Sequence, residues 1–157
     1  MFKQRKTAAR GFTLVELILT ITILAIIVGM AIPLARNSIQ RQKEQDLHYA
    51  LREMRAAIDK FKAASDAGQI QVTLDGGGYP AKLQELVDGV PQVGGAPDKK
   101  LKFLRRVPVD PMTNSTDWGL RSYQDDPKNK SWGGQNVFDV YTKSGGTALD
   151  GTKYGDW

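Results

Sequence analysis

The chain has 157 residues, of which 41% are hydrophobic and 25% charged, with a net charge of +5 and no cysteine. That length holds about one domain, and the lack of cysteine excludes a disulfide-stapled scaffold. The basic balance does not make the chain a nucleic-acid binder. Lys3, Arg5, Lys6 and Arg10 lie in a tip, residues 1–11, that contains no acid, and the remainder carries 18 basic against 17 acidic residues.

The first element in chain order is the apolar run from Phe12 to Leu34, 23 residues interrupted by a single charge, Glu16. At about 1.5 Å per residue it spans roughly 34 Å as a helix, the thickness of a bilayer core. The basic tip before it is a positive-inside signal, which keeps the N-terminus in the cytoplasm and exports the C-terminal part of the chain. A cleaved secretory signal fits poorly. Its apolar region is shorter, about 7–15 residues, and ends in a small-x-small site that Gly29 to Ala35 supplies badly around Pro33. A plain membrane anchor fits the length and the flanks but gives Glu16 no task. Carboxylates inside membranes are costly unless paired and mark functional positions.

A third reading uses every residue. The stretch Gly11-Phe12-Thr13-Leu14-Val15-Glu16, behind the short basic segment MFKQRKTAARG and ahead of Pro33, resembles the N-terminal signal of type IV pilins and type II secretion pseudopilins. The resemblance implies cleavage after Gly11 by a prepilin peptidase and N-methylation of Phe12. It also implies an assembly role for Glu16, which would meet the new amine of Phe12 on a neighbouring subunit. Pro33 lacks a backbone donor and clashes with the preceding turn, so a helix kink is expected there.

Beyond Pro33 the pattern becomes amphipathic. Leu47, Leu51, Met54, Ile58 and Phe61 recur at spacings of 4, 3, 4 and 3, one helical stripe that Ala50 and Ala57 widen. Arg36 to Asp46 is almost wholly polar and reads as an exposed neck. Gly68 is the expected stop, so the spacing predicts one helix from Phe12 to Ala67. His48 has no second His or Cys to share a metal and reads as a surface or boundary residue.

The rest reads as a small domain. Gly76 to Gly78 is a loop, and Lys82 to Val87 a short helix behind Pro80 and ahead of Gly89. Val90 to Asp98 is a loop. Lys100 to Val109 is expected to include a short strand or extended segment ending at Asp110-Pro111, and around it Lys99, Lys100, Lys102, Arg105 and Arg106 alternate with Leu101, Phe103 and Leu104 as a half-buried segment with a solvated face. Gly119 to Gln124 and Val137 to Thr142 are strands joined by a hairpin loop, Asp125 to Gln135. Together these predict a three-stranded antiparallel sheet on the long helix, an α+β pilin-like fold. The divisions are a leader (1–11), a transmembrane and assembly helix (12–34), its amphipathic continuation (35–67) and a small periplasmic domain (68–157).

Tyr79-Pro80, Val107-Pro108-Val109-Asp110-Pro111, Phe138-Asp139-Val140-Tyr141 and the tail from Ala148-Leu149-Asp150-Gly151 to Trp157 resemble the G-type major pseudopilin of type II secretion. That resemblance implies a homopolymer with other pseudopilins in the filament. It also implies an inner-membrane assembly platform and a cytoplasmic ATPase as partners, a single-pass inner-membrane subunit before assembly, and a periplasmic filament after it. A type IV pilin forming surface fibres is the alternative, and a membrane-anchored binding module that never polymerises is a third. Members of the pseudopilin subclass bind calcium in the loop after the last strand, and here the resemblance points to Ser144, Asp150 and Asp156, with Asp139 nearby. A Gly-rich loop closed by an Asp150-Gly151 turn and a packed Trp157 is the competing account. Nothing in the chain suggests an enzyme: it has no Cys nucleophile, no second His, no Walker loop and no G-x-S-x-G. Asp125-Asp126 reads as a solvated pair.

Overall fold

The computed structural model describes residues 11–72, 76–95, 99–126 and 131–157, without the side chains of 30–35. The predicted leader, apart from Gly11, and the side chain of Pro33 lie outside the described residues. Helix α1, Leu14–Asp66, has 53 residues, and its helical assignment continues through the Pro33 position. It ends one residue before the predicted Ala67, within ordinary end-fraying. Gly68 closes it at φ 65°, where Gly68 N–H reaches Ser65 O and Gln69 N–H reaches Ala64 O, both at 2.9 Å. Only glycine takes that left-handed conformation without cost.

The chain divides into two compact units, Met1–Ile39 and Gln40–Trp157. In the first, the large apolar side chains from Phe12 to Val28 are all exposed, from 49% at Ile23 to 76% at Phe12. They surround the helix instead of forming one stripe, the pattern of a helix that meets apolar surroundings on all sides.

In the second unit α1 supplies half the core. Leu47, Leu51, Met54, Ile58 and Phe61 are each at most 1% exposed, and Ala50 and Ala57 are buried beside them, as the spacing predicts. Facing them are Ile70, Leu86, Leu104, Trp118, Val137, Val140, Ala148 and Tyr154. The short helix α2, Glu85–Asp88, begins later than predicted because residues 81–84 form turns. Its Glu85 carboxylate accepts Ala81 N–H at 3.1 Å.

The predicted three-stranded sheet is corrected to two two-stranded ladders among the described residues. Strand β1, Val90–Pro91, pairs antiparallel with β2, Lys100–Leu101, so part of the predicted 90–98 loop is strand. Strand β3, Gly119–Arg121, pairs antiparallel with β4, Asp139–Tyr141, where the alternation places them. The segment after β2 cannot join β3 or β4. The backbone N–H groups of Phe103 and Leu104 donate to Leu86 O at 3.0 and 2.9 Å, which turns the chain toward α2, and Pro108 and Pro111 have no N–H to give. Below β4 lies Asp110, fully buried. Its carboxylate accepts Met112 N–H at 2.8 Å, the Thr113 hydroxyl at 3.0 Å and the Thr142 hydroxyl.

Candidate processing and assembly site

The hexapeptide Gly11 to Glu16 straddles the start of α1. Gly11, Phe12 and Thr13 precede the helix and are exposed. Thr13 is the N-cap: its Oγ1 accepts Glu16 N–H at 3.2 Å, and its carbonyl accepts Leu17 N–H at 3.1 Å. The spacing Thr13-x-x-Glu16 is that of a capping box, a local signal that the sequence reading passed over. Glu16 therefore has a task within its own chain. A carboxylate in the first turn is favoured by the partial positive charge of the helix N-terminus, an effect of about 0.3–1 kcal/mol. That task leaves its carboxylate exposed, and among the described residues no ion pair engages it.

The helix behind it suits apolar surroundings. The Thr20 hydroxyl donates to Leu17 O at 2.9 Å and the Thr22 hydroxyl to Ile18 O at 2.7 Å, so neither needs water. A Cβ built on Gly29 would meet nothing within 4 Å. Among the described residues no helix is long and apolar enough to cross a membrane; the last part of the 12–34 segment falls on the residues whose side chains are not described.

A model of the prokaryotic N-terminal methylation motif matches residues 6–32. Over nearly its whole length the chain is also similar to the type II secretion system core protein G of Pseudomonas aeruginosa. Identity is 28% over 156 residues, covering 94% of each chain. The chain thus carries the methylation-motif signature at its N-terminus and is similar along its length to a type II secretion core protein. No solved structure matches it. These similarities support a structural role of the pilin and pseudopilin kind, and the long helix with small antiparallel sheets is a pilin-like α+β fold.

A pilin-like protein without cysteine must close its C-terminal tail by other means, and it does so with hydrogen bonds to α1. Glu44 Oε1 accepts the Tyr154 hydroxyl at 2.8 Å, Leu149 N–H at 3.0 Å and Gln40 Nε2 at 3.2 Å. The Gln40 amide also donates to Tyr154 Oη at 3.0 Å. Gln40 and Glu44 are therefore half-buried within the predicted exposed neck. Sequence reasoning missed both, since nothing local marks a helix residue that will bind a tail over 100 positions away. His48 stacks on Trp157 with centroids 4.0 Å apart and planes 9° apart, a boundary position as expected. Trp157 stands edge-on to Tyr154 at 5.1 Å, and its indole N–H donates to Thr152 Oγ1 at 2.8 Å.

The three residues of the calcium expectation sit in this tail and are already engaged locally. Ser144 Oγ accepts Gly146 N–H at 3.3 Å. Asp150 Oδ1 accepts the Thr152 N–H at 2.9 Å and the Thr152 hydroxyl at 2.7 Å, which hold its carboxyl below the ordinary 3.8, the hydroxyl contributing most. Asp156 is exposed in the short 3-10 turn Tyr154–Asp156. Calcium takes six to eight oxygens, so these side chains supply part of a shell that backbone carbonyls would have to complete. Among the described residues no three His, Cys, Asp or Glu side chains cluster as a metal site.

Asp125, read as solvated, is a turn residue. Its Oδ2 accepts Ser122 N–H at 2.7 Å and Gly133 N–H at 3.0 Å.

Proposed function

We propose that the protein is a pseudopilus subunit of type II secretion, cut after Gly11, methylated at Phe12, and assembled by stacking its N-terminal helix on copies of itself. The observation that carries this reading is the capped helix start, which leaves the Glu16 carboxylate exposed, close to the scissile bond and at the head of an apolar stretch of α1, through Val28, whose large side chains are all exposed. Cleavage would place a positive amine beside the N-terminus of α1, where the helix dipole disfavours it. A nearby carboxylate offsets that charge. In a packed bundle the Glu16 of one subunit and the Phe12 amine of the next would then neutralise each other. Removing one member of a buried pair costs about 3–5 kcal/mol in soluble proteins, so the pair would set the axial register between subunits.

The similarity to a type II core protein, across 94% of both chains, favours a periplasmic pseudopilus over a surface fibre. Prepilin peptidase, an inner-membrane platform, a cytoplasmic ATPase and other pseudopilins are the partners this reading requires, and the subunit would sit in the inner membrane before assembly. Two measurements test it. Mass spectrometry of the native protein should find a chain that begins at a methylated Phe12. Glu16→Leu should be cut and inserted normally but lose filament yield at least tenfold; normal yield would overturn the pairing, and a retained Met1 would overturn the reading altogether.

Calcium at Ser144, Asp150 and Asp156 is a separate proposal. It predicts that calcium raises the melting temperature, that chelator reverses the rise, and that Asp150→Asn abolishes it. A melting temperature indifferent to calcium would remove it.

A further inference from the structure

The loop end of the β3–β4 ladder carries an aromatic surface that neither the tail clasp nor the N-terminal site uses. Tyr123 is 65% exposed, Phe138 41% and Trp132 39%. Exposed aromatic surface of this kind marks a place where something binds.

These rings are exposed but not loose. Tyr123 lies nearly parallel to Tyr79, with centroids 6.1 Å and planes 16° apart. Phe138 stands edge-on to both, at 5.3 and 5.4 Å. Beneath them Asn136 is fully buried. Its Oδ1 accepts Tyr123 N–H at 3.0 Å, its carbonyl accepts the Trp132 indole N–H at 2.8 Å, and its Nδ2 donates to Gln124 Oε1 at 3.1 Å. Asp125 Oδ2 ties the two flanks of the loop together through Ser122 N–H and Gly133 N–H. A buried amide is costly unless its groups are paired, and here they are paired with the residues that carry the exposed rings. Rings fixed in this way lose little freedom when a ligand covers them.

The polar groups beside the rings say what kind of ligand fits. The Trp132 N–H is engaged inward, so its exposed part is carbon. Gln124 and Gln135 are exposed. Among the described residues, no partner takes the Gln124 amide N–H groups, and none meets the Gln135 amide. Each amide both donates and accepts without charge. The loop sequence has two acids, Asp125 and Asp126, against two lysines, Lys128 and Lys130, so it selects no ion. Nucleic acid would draw a basic wall, and a basic peptide an acidic one. Carbon faces flanked by uncharged amides match a pyranose chain. Its sugar rings present C–H groups on their faces and neutral hydroxyls at their edges, and β-linkage keeps the chain flat.

We propose that this surface binds a neutral β-linked glycan, with Tyr123 and Trp132 stacked on sugar faces and Gln124 and Gln135 bonded to hydroxyls. The inference does not rest on the filament reading and stands or falls apart from it.

The test is isothermal titration calorimetry on the full chain in a zwitterionic detergent without a sugar headgroup. Cellohexaose and chitohexaose are the probes, and a hexa-arginine peptide is the comparison. At least one sugar should bind saturably, and which one does so distinguishes a plain glucose chain from an N-acetylated one. Tyr123→Ala keeps the backbone N–H that meets Asn136, so the loop stays folded, and it should weaken binding by about fivefold or more, as should Trp132→Ala. Tyr123→Phe keeps the ring and should bind within about threefold of the parent. Tyr49→Ala removes a tyrosine of equal exposure on α1 and should change nothing. No saturable binding of either sugar overturns the proposal. So does sugar binding that survives Tyr123→Ala and Trp132→Ala unchanged. Binding of hexa-arginine alone also overturns it, and would make the surface a contact for a basic protein segment.

Discussion

The Arg55 guanidinium on α1 donates to Asp139 on β4 at 2.7 Å. It also reaches Val140 O at 3.2 Å and Trp157 O at 2.8 Å. Asp139 is shared with Arg121 at 3.5 Å, whose guanidinium also lies over the Tyr141 ring at 4.6 Å. One side chain thus binds the helix to the strand and to the last residue of the tail. With the Arg55 side chain 38% and the Asp139 side chain 22% exposed, water screens the pair only in part. Arg55→Ala should cost about 2–3 kcal/mol, since hydrogen bonds to charged groups contribute about 1.5–3. Arg55→Lys should recover less than half, because an ammonium cannot reproduce the fork. Urea unfolding followed by tryptophan fluorescence reads this directly, as Trp118, Trp132 and Trp157 all lie in the second unit. A loss below about 0.5 kcal/mol would place the pair among surface ion pairs of little consequence.

Gly119 is opposite Tyr141 in the β3–β4 register, and a Cβ built there would lie 2.3 Å from the Tyr141 ring. Gly119→Ala should destabilise by about 1–3 kcal/mol through overpacking. Gly119→Ala/Tyr141→Ala should lose less than the two single variants summed, because the clash is gone. Strict additivity in the same unfolding assay would refute the close contact.

Much of this was legible beforehand, and the exceptions have physical causes. The α1 core stripe follows from a period of 3.6 sustained over four turns, and Gly68 follows from the conformation a helix end demands. Strands β3 and β4 follow from alternation beside turn residues. The third strand failed because the signal for an extended segment says nothing about where its backbone donors go; those of Phe103 and Leu104 go to Leu86. At the N-terminus the motif that holds Gly11, Phe12 and Glu16 was legible from its spacing, and a model of the prokaryotic N-terminal methylation motif matches over residues 6–32. Thr13 was equally readable as a cap and was overlooked because the more specific motif absorbed it. Gln40, Glu44 and Arg55 carry no such mark, since their partners are set by long-range folding.

Acid and alkali should act on different parts of the second unit. Backbone N–H donors, Ser122 first and Gly133 next, hold the Asp125 carboxyl below 3.8, and Thr152 does the same for Asp150. For both groups the unfolded chain binds the proton more tightly, so their stabilisation is full above about pH 4 and is lost as pH falls below it. Asp125→Asn/Asp150→Asn should flatten the acid limb of a melting-temperature profile. Burial, then the bond to Glu44, pushes the Tyr154 hydroxyl above its usual 10. There the folded chain binds the proton more tightly, so stability is intact below about pH 10 and falls above it. Tyr154→Phe should remove that alkaline loss. Profiles unchanged by either substitution would contradict these assignments.

The cap and the carboxylate at the start of α1 can be separated. Thr13→Ala removes the bond to Glu16 N–H and should cost about 1 kcal/mol of helix start. It leaves the acid in place, so filament yield should fall by a factor of about five or less, against the larger loss expected of Glu16→Leu. Equal losses would mean that Glu16 acts through the cap alone.

The inward-turned hydroxyls of Thr20 and Thr22 have a consequence for how a subunit changes surroundings. With both donors satisfied by carbonyls within the helix, neither threonine needs a hydrogen bond from whatever lies outside it. Under the proposed assembly, these two side chains would pass from hydrocarbon to the flanks of other stems without exposing an unmet donor on the way.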